Sequence, residues 1–276
     1  MTRSVTRRIR RTLRVTGAGA AALLALSACS SSSGSGAGSD SAGSSSSSPE
    51  KVSGQVTVFA AASLKESFTA LGETFEKQYP GTEVTFNFAG SDTLAASITS
   101  GAPADVFASA SPKTMATVTD AKATAGDPAT FVRNQLQIAT LPGNPDRISA
   151  LKDLTGSGLK VVLCDRSVPC GTAAQKALEA GGLELTPVSY EQDVKAALTK
   201  VELKEADAAV VYRTDVKAAG DKVTGVDFPE SAKAVNDYPI ALLQEAPNAG
   251  AAKAFIDMVK SPEGQRVLTA AGFRTP

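Results

Sequence analysis

The sequence contains no histidine and no tryptophan, and it has only three cysteines and 5% aromatic residues among 276 positions. The absence of histidine excludes Ser-His-Asp and Cys-His catalytic centres, the His-x-Glu deaminase site and most zinc and iron sites, because each of these uses an imidazole as base or ligand. The composition therefore favours a protein that is not an enzyme and that carries no cofactor.

Basic residues are scarce in the part of the chain that can fold. The whole sequence is neutral, with 28 basic and 28 acidic residues, but six arginines lie before residue 28 in a stretch without an acid. The remainder has 22 basic against 28 acidic residues, a formal charge of −6. This balance argues against nucleic acid as a partner, since phosphate recognition relies on a basic surface. With 42% hydrophobic residues, the chain can bury a sizeable core.

The N-terminal segment has the pattern of a bacterial export signal. Six arginines precede an apolar run, residues 15–26, that is shorter than a usual membrane-spanning helix. The run closes with Leu-Ser-Ala-Cys at 26–29, which resembles the lipobox of bacterial lipoproteins, whose cysteine is acylated (palmitate) and begins the mature chain. We expect residues 1–28 to be a signal peptide and Cys29 to be lipidated, so that the protein is anchored on the extracytoplasmic face of the cell membrane. An ordinary secretory signal with an unrelated cysteine is the alternative.

Residues 29–50 are predicted to be the acylated cysteine and a flexible tether. Positions 30–48 hold 12 serines and 4 glycines among 19 residues and almost nothing apolar. Such a composition buries too little apolar surface to offset the conformational entropy lost on ordering.

The two remaining cysteines, Cys164 and Cys170, lie close together in the sequence. An oxidising exterior permits a disulfide between them, but spacing does not decide between a bridge and two free thiols. Two thiols without a histidine make a poor metal site.

From residue 55 onward, short apolar runs alternate with amphipathic helical patterns. Residues 56–60 predict a buried strand, and the apolar residues from Leu64 to Phe75 then recur at the spacing of one helix face, up to a turn at 79–81. The same strand-loop-helix unit recurs further along the chain. The alternation predicts an α/β fold with mostly parallel sheets and helices on both faces.

Four loops that each lead from a strand into a helix are predicted to form a ligand site, because ligands bind beyond the carboxyl ends of the strands in open α/β sheets. The helices begin near Ser63, Ser91, Cys170 and Val194, and Ser63 with Glu66 has the spacing of a capping box. Several helix N-termini aimed at one cleft supply N–H groups and positive dipole ends, which suits an anion. Taken singly, each loop also fits an ordinary helix cap.

Five segments resemble the molybdate-binding proteins of bacterial ABC importers: VFAAASL at 58–64, FAGSDTL at 88–94, GAPADVF at 101–107, AVVY at 209–212 and AGF at 271–273. The resemblance runs in register over residues 55–276. It implies a type II periplasmic-binding-protein fold with a tetrahedral oxyanion in the cleft between two α/β lobes. The first lobe would comprise residues 51–133 plus 238–276, and the second residues 134–237.

Carried over by position, the resemblance implies a set of neutral hydrogen-bond donors for molybdate. Ser63 and Ser91 would each offer a hydroxyl and an N–H, Cys170 and Val194 a backbone N–H, and Tyr212 its phenol. The metal would be held only through the molybdate oxygens.

The sequence departs from the family pattern at two positions of this set. Asp92 directly follows Ser91, and we expect its carboxylate to cap the helix and face away from the cleft. Cys170 stands where relatives carry a small apolar residue, an alanine.

The resemblance implies a monomeric, extracytoplasmic protein that captures molybdate or tungstate and delivers it to the permease and ATPase subunits of an ABC importer. The alternatives are a binder of another oxyanion such as sulfate or phosphate, a ferric-iron binder, an anion-sensing surface lipoprotein, and a surface enzyme with Cys170 as nucleophile. Iron binders of this type use paired tyrosines with carboxylates, and a Cys170 enzyme would lack a histidine base.

Overall fold

A computed structural model describes residues 52–276, so the predicted signal peptide, Cys29 and the tether lie outside the described residues. Within 52–276, no helix has both the length and the apolar composition that crossing a bilayer requires.

Residues 52–276 form ten strands and eight α-helices. The strands are β1 (Gly54–Ala61), β2 (Thr82–Ala89), β3 (Val106–Ala108), β4 (Ala129–Asn134), β5 (Leu136–Thr140), β6 (Val161–Cys164), β7 (Ser189–Glu191), β8 (Ala208–Tyr212), β9 (Thr224–Val226) and β10 (Asn236–Leu242). The helices are α1 (Lys65–Gln78), α2 (Ser91–Thr99), α3 (Pro112–Asp120), α4 (Pro169–Gly181), α5 (Val194–Glu202), α6 (Arg213–Ala219), α7 (Ala249–Lys260) and α8 (Pro262–Ala270).

The strands form two five-stranded sheets. The first has the order β2-β1-β3-β10-β4 and the second the order β7-β6-β8-β5-β9. The chain passes from the first sheet to the second between Asn134 and Leu136 and returns at Asn236. Asn134 and Asn236 are themselves register partners in the pairing of β4 with β10. The two crossings therefore lie side by side.

The α/β class is confirmed, and four strands of each sheet run in the same direction, but each sheet also contains one antiparallel strand that was not expected. In the first sheet β10 runs antiparallel to both of its neighbours, and in the second β5 does the same. These are the strands that follow the two crossings. Neither strand is connected through a helix to a preceding strand of its own sheet. The rule that strand-helix-strand units give parallel pairs therefore does not apply to them.

The cores of the two sheets differ in kind. The first packs a cluster of aromatic rings, in which Phe255 contacts Phe68 and Phe75 edge-on at centroid distances of 6.0 and 5.5 Å. The second is built mainly of alanine, valine and leucine, and β8 is buried along its whole length. Because protein interiors are close-packed, both cores give the loops at the strand ends rigid supports.

Candidate functional site

A small cavity lies where loops of the two sheets face each other. From the first sheet it is lined by Ala61, Ala62, Ser63, Ala89, Gly90, Ser91 and Ala110. From the second it is lined by Val168, Pro169, Cys170, Asp193, Val194 and Tyr212. The structure thus brings all five residues of the implied ligand set to one place. Among these lining residues Asp193 alone carries a formal charge, and no cationic side chain is present.

Three of the four helix starts at the cavity have no side-chain cap. The 3-10 turn Ala62–Leu64 that leads into α1, and the helices α2 and α4, begin without a side chain bonded to their first N–H groups. The first N–H groups of a helix have no partner inside the helix and need one outside it. Elsewhere in the described chain, α3, α7 and α8 are capped by Ser111, Asn248 and Ser261. The helix starts at the cavity therefore keep N–H groups for a ligand.

Ser63 does not form the predicted capping box with Glu66. Its hydroxyl is 2.9 Å from the phenol oxygen of Tyr238, 175 positions away in the sequence, and Glu66 instead pairs with Lys195. The prediction is wrong because a long-range partner takes the serine hydroxyl. Ser63 is buried, at 4% exposure, and lines the cavity.

Ser91 is the first residue of α2 and is 1% exposed. Its Oγ accepts a hydrogen bond from the backbone N–H of Ala110 at 3.0 Å. Ala110 follows β3, so the loops after β2 and β3 are tied together at the cavity. Ser91 Oγ is therefore the acceptor in this bond, and the hydroxyl proton of Ser91 can point in a different direction.

Two buried phenols meet at the cavity wall, Tyr212 in the lining and Tyr238 behind it. Their rings meet edge-on with centroids 6.0 Å apart, and Asn236 Nδ2 donates to the Tyr212 oxygen at 3.0 Å. Burial, together with the neighbouring phenol and Asp215, raises the pKa of Tyr212 well above its usual value, and burial likewise raises the pKa of Tyr238. Both phenols therefore keep their protons at neutral pH and can donate them.

Cys170 is joined to Cys164 in a disulfide that ties the end of β6 to the first turn of α4. The sulfur is thus used within the protein, and the group that Cys170 can offer to the cavity is its backbone N–H. A cysteine in place of a small apolar residue is explained in this way. The bridged form has no thiolate.

Val194 is the first residue of α5, which is the one helix at the cavity with a side-chain cap. Asp193 Oδ1 accepts from the N–H groups of Lys195 and Ala196 at 2.8 and 3.0 Å. The cap does not use the N–H of Val194. The Asp193 carboxylate lies at the positive end of the α5 dipole, which stabilises its negative charge.

Asp92 neither lines the cavity nor caps its helix. The residue before α2 is Gly90, no side chain caps the helix, and Asp92 Oδ1 is buried without a hydrogen-bond partner in the described chain. The predicted capping role of Asp92 is therefore wrong, because its position is inside the first turn rather than at the cap.

An ion cluster lies beside the cavity and extends from the exposed Glu66 to the fully buried Asp215. Lys195 Nζ is 2.9 Å from Glu66 Oε2, on the first-sheet side, and 3.1 Å from Asp215 Oδ1, on the second-sheet side. Burial raises the pKa of Asp215 to about 6, although the Lys195 ammonium opposes this shift. For Lys195, burial lowers the pKa, but Asp215 and Glu66 outweigh it and leave the pKa above its ordinary value. Lys195 is not among the cavity-lining residues.

Four residues in or behind the cavity wall were not singled out from the sequence as site residues: Ala110, which lines the cavity, and Asn134, Asn236 and Tyr238 behind it. Ala110, Asn236 and Tyr238 bond to Ser91, Tyr212 and Ser63 in that order, and Asn134 bonds to Tyr238 and Thr214. The sequence offered no local signal for the two asparagines, because Asn134 stands between Arg133 and Gln135 and Asn236 precedes Asp237, so neither is a lone polar residue. Residues 52–276 also contain no group of three or more cysteine, aspartate or glutamate side chains that could hold a metal ion directly.

The sequence resembles curated proteins over most of its length. The molybdate-binding protein ModA of Mycobacterium tuberculosis (strain H37Rv) is 44% identical over 228 residues, which are 83% of this chain and 87% of the relative. The molybdate-binding protein ModA of Escherichia coli K12 is 35% identical over 234 residues, 80% of this chain and 89% of the relative.

The fold resembles solved structures. The periplasmic molybdate-binding protein of Azotobacter vinelandii superposes with a TM-score of 0.71 at 21% identity, covering 80% of this chain and 99% of that one. The profile of the family described as bacterial extracellular solute-binding protein matches residues 56–274. The chain therefore belongs to the bacterial extracellular solute-binding proteins, in the family that includes the molybdate-binding proteins ModA.

Proposed function

We propose that this protein captures molybdate outside the cytoplasm and delivers it to the permease and ATPase subunits of an ABC importer. The observation that carries the proposal is the composition of the cavity: three hydroxyls and several helix-start N–H groups surround it, without a cationic side chain. Relatives that are 44% and 35% identical bear the name of molybdate-binding proteins.

The proposed ligands are Ser63 and Ser91 through hydroxyl and N–H, Cys170 and Val194 through N–H, and Tyr212 through its phenol. Molybdate is a fully deprotonated dianion at neutral pH, so a site made of donors leaves none of its oxygens facing an acceptor. Hydrogen phosphate brings a proton that needs an acceptor, and the one carboxylate that lines the cavity, Asp193, already accepts two hydrogen bonds from the start of α5. A buried donor without a partner costs about 1 to 3 kcal/mol. Sulfate has the charge of molybdate but is smaller, and we expect the cavity size to exclude it. Tungstate matches molybdate in size and charge and is expected to bind.

The site requires the two sheets to face each other closely, and we propose that they belong to two lobes that close on the anion. The first lobe comprises residues 51–133 plus 238–276 and the second residues 134–237, with the paired crossings as the hinge. The disulfide at Cys170 weighs against the alternative of a thiol enzyme, because a bridged sulfur is no nucleophile.

Calorimetric titration of the full-length chain, purified in mild detergent, tests the binding proposal. We expect saturable one-site binding of molybdate and of tungstate, and no heat of binding with sulfate or phosphate at the same concentrations. Equal binding of sulfate would replace the proposal by a general oxyanion-binding function. Absence of molybdate binding would refute it.

We further propose that Cys29 is lipidated and anchors the mature protein to the outer face of the cell membrane. The arginine-led apolar run and the Leu-Ser-Ala-Cys sequence at 26–29 support this. Cys29→Ser is expected to leave the protein unprocessed or to release it into the medium, as followed by cell fractionation and mass spectrometry. A processed Cys29→Ser protein that remains in the membrane fraction would contradict the anchor.

A further inference from the structure

We propose that Asn134 and Asn236, the paired asparagines at the two crossings, set the direction of the protons in the hydroxyls of the site, so that these hydroxyls meet the anion as donors. The inference rests on the proposed binding of an oxyanion. It assigns to two residues outside the cavity a positioning role in affinity and in discrimination against protonated anions.

The two asparagines are buried at neighbouring places. Asn134 ends β4 and Asn236 begins β10, and the two are register partners. Their exposures are 0% and 9%. A buried amide must have its hydrogen bonds made, so both side chains are held by specific partners.

Asn236 fixes the role of the Tyr212 oxygen. Its Nδ2 donates to the Ala110 carbonyl at 2.7 Å and to the Tyr212 phenol oxygen at 3.0 Å. A carbonyl can only accept, so the Ala110 bond settles which end of the amide carries the hydrogens. The Tyr212 oxygen consequently accepts from Asn236, and its single proton must find another acceptor. Tyr238 can take that proton while the cavity is empty, and the anion takes it when bound.

Asn134 acts on Ser63 through Tyr238. Its Oδ1 accepts from the Gln135 N–H at 3.0 Å, which fixes the orientation of this amide as well. Its Nδ2 donates to Thr214 Oγ1 at 2.8 Å and, over a longer 3.4 Å, to the Tyr238 oxygen. With its oxygen thus approached by a donor, Tyr238 directs its proton to Ser63 Oγ, 2.9 Å away.

The third hydroxyl follows the same rule. Ser91 Oγ accepts from the N–H of Ala110, the residue whose carbonyl binds Asn236. Each of the three site hydroxyls therefore receives a hydrogen bond from the protein side and keeps its own proton for the cavity. Such a set of oriented donors is what a dianion needs, and it offers no acceptor to a proton on the ligand.

The test is a double-mutant cycle between Asn236→Ala and Tyr212→Phe, read by titration with molybdate. If Asn236 acts through the Tyr212 hydroxyl, Asn236→Ala weakens molybdate binding about five- to tenfold in the parent, the range for one hydrogen bond, and much less in Tyr212→Phe. The ratio of molybdate to phosphate affinity is also expected to fall. Without the Asn236 donor, the Tyr212 oxygen can accept a hydrogen bond from the proton of hydrogen phosphate. A purely structural role would weaken both anions alike and in both backgrounds.

Asn248→Ala is the matched control, since Asn248 is an asparagine that caps α7 and bonds the Ser53 carbonyl away from the cavity. It is expected to lower the melting temperature without changing the ratio of affinities. Should Asn236→Ala fail to fold, Tyr238→Phe preserves the ring, and its cycle with Ser63→Ala must show the same coupling. A parent protein that binds no molybdate would overturn the proposed function and this inference together. A parent that binds, with additive effects in the cycle and an unchanged ratio, would overturn this inference alone.

Discussion

At the scale of residues, the proposed function depends on single hydroxyl groups that line the cavity. Ser63→Ala and Tyr212→Phe each remove one donor to a charged oxygen, a bond worth about 1.5 to 3 kcal/mol, so each is expected to weaken molybdate binding about tenfold or more. Val194→Ala keeps its N–H and is expected to cost much less. Titration calorimetry of the three variants in one buffer measures these effects. A Val194→Ala defect as large as that of Tyr212→Phe, with Ser63→Ala like the parent, would refute the division into side-chain and backbone ligands.

Asp215 gives the protein a dependence of stability on pH that one substitution removes. Its pKa of about 6 lies above the ordinary value of 3.8, so the folded protein holds a proton in a range where the unfolded chain has lost it. This contribution to stability is present at low pH and is lost as the pH rises through about 6. We therefore compare the unfolding free energy of Asp215→Asn with that of the parent. The value for Asp215→Asn minus the value for the parent is expected to rise by about 2 kcal/mol between about pH 4.5 and about pH 7.

Urea unfolding at the two pH values measures this difference, and the parent serves as its own reference for all other titrating groups. A constant difference between Asp215→Asn and the parent would show that the pKa of Asp215 is unshifted in the folded state.

The positions of the five implied site residues could be anticipated from the sequence because each stands at a boundary between a strand and a helix. The residues behind them could not. Tyr238 meets Ser63 across 175 positions and Asn236 meets Ala110 across 126, and no local pattern encodes such pairings. The wrong capping box at Ser63 has the same origin, since local spacing predicted a partner that a distant phenol displaces.

At the scale of elements, the two halves of the cavity approach each other closely at the start of α2. A Cβ on Gly90 would lie 2.6 Å from the backbone oxygen of Gln192, which belongs to the loop before α5 on the opposite side. The backbone of Gly90 has φ −56 and ψ 135, which any residue can adopt. A side chain there therefore obstructs the approach of the two halves, and within its own loop it meets only the carboxylate oxygen of Asp92, at 2.7 Å and at the end of a side chain.

Gly90→Ala is thus expected to weaken molybdate binding by about tenfold or more, by the cost of overpacking, while the melting temperature without ligand stays close to that of the parent. Gly250→Ala is the matched control, because a Cβ at that position in α7 meets nothing within 4 Å. It is expected to stabilise the protein slightly and to leave binding unchanged. Parent-like affinity in Gly90→Ala would show that the close approach at Gly90 is not needed for binding.

The elements themselves followed from the sequence more closely than their arrangement did. The predicted strand at 56–60 and the helix from Leu64 are present as β1 and α1. The antiparallel directions of β5 and β10 were not foreseen, since strand direction depends on how the chain crosses between sheets and not on the apolar pattern of either strand.

At the scale of the whole molecule, a ligand held between two halves must stabilise the fold. A ligand that binds only the native state adds roughly 4 kcal/mol at a thousandfold excess over its Kd. Molybdate is therefore expected to raise the melting temperature, and sulfate at the same concentration is not. Equal shifts with both anions, in a scanning calorimeter, would refute the assigned specificity.

The most direct test of the central claim is the position of the metal itself. Crystals of the protein grown with one equivalent of molybdate and an excess of sulfate can be measured at the molybdenum absorption edge. We expect one anomalous peak in the cavity, with its oxygens facing Ser63, Ser91 and Tyr212 and the N–H groups of Cys170 and Val194. A cavity occupied by sulfate, or an anomalous peak only at some other place on the molecule, would contradict the account.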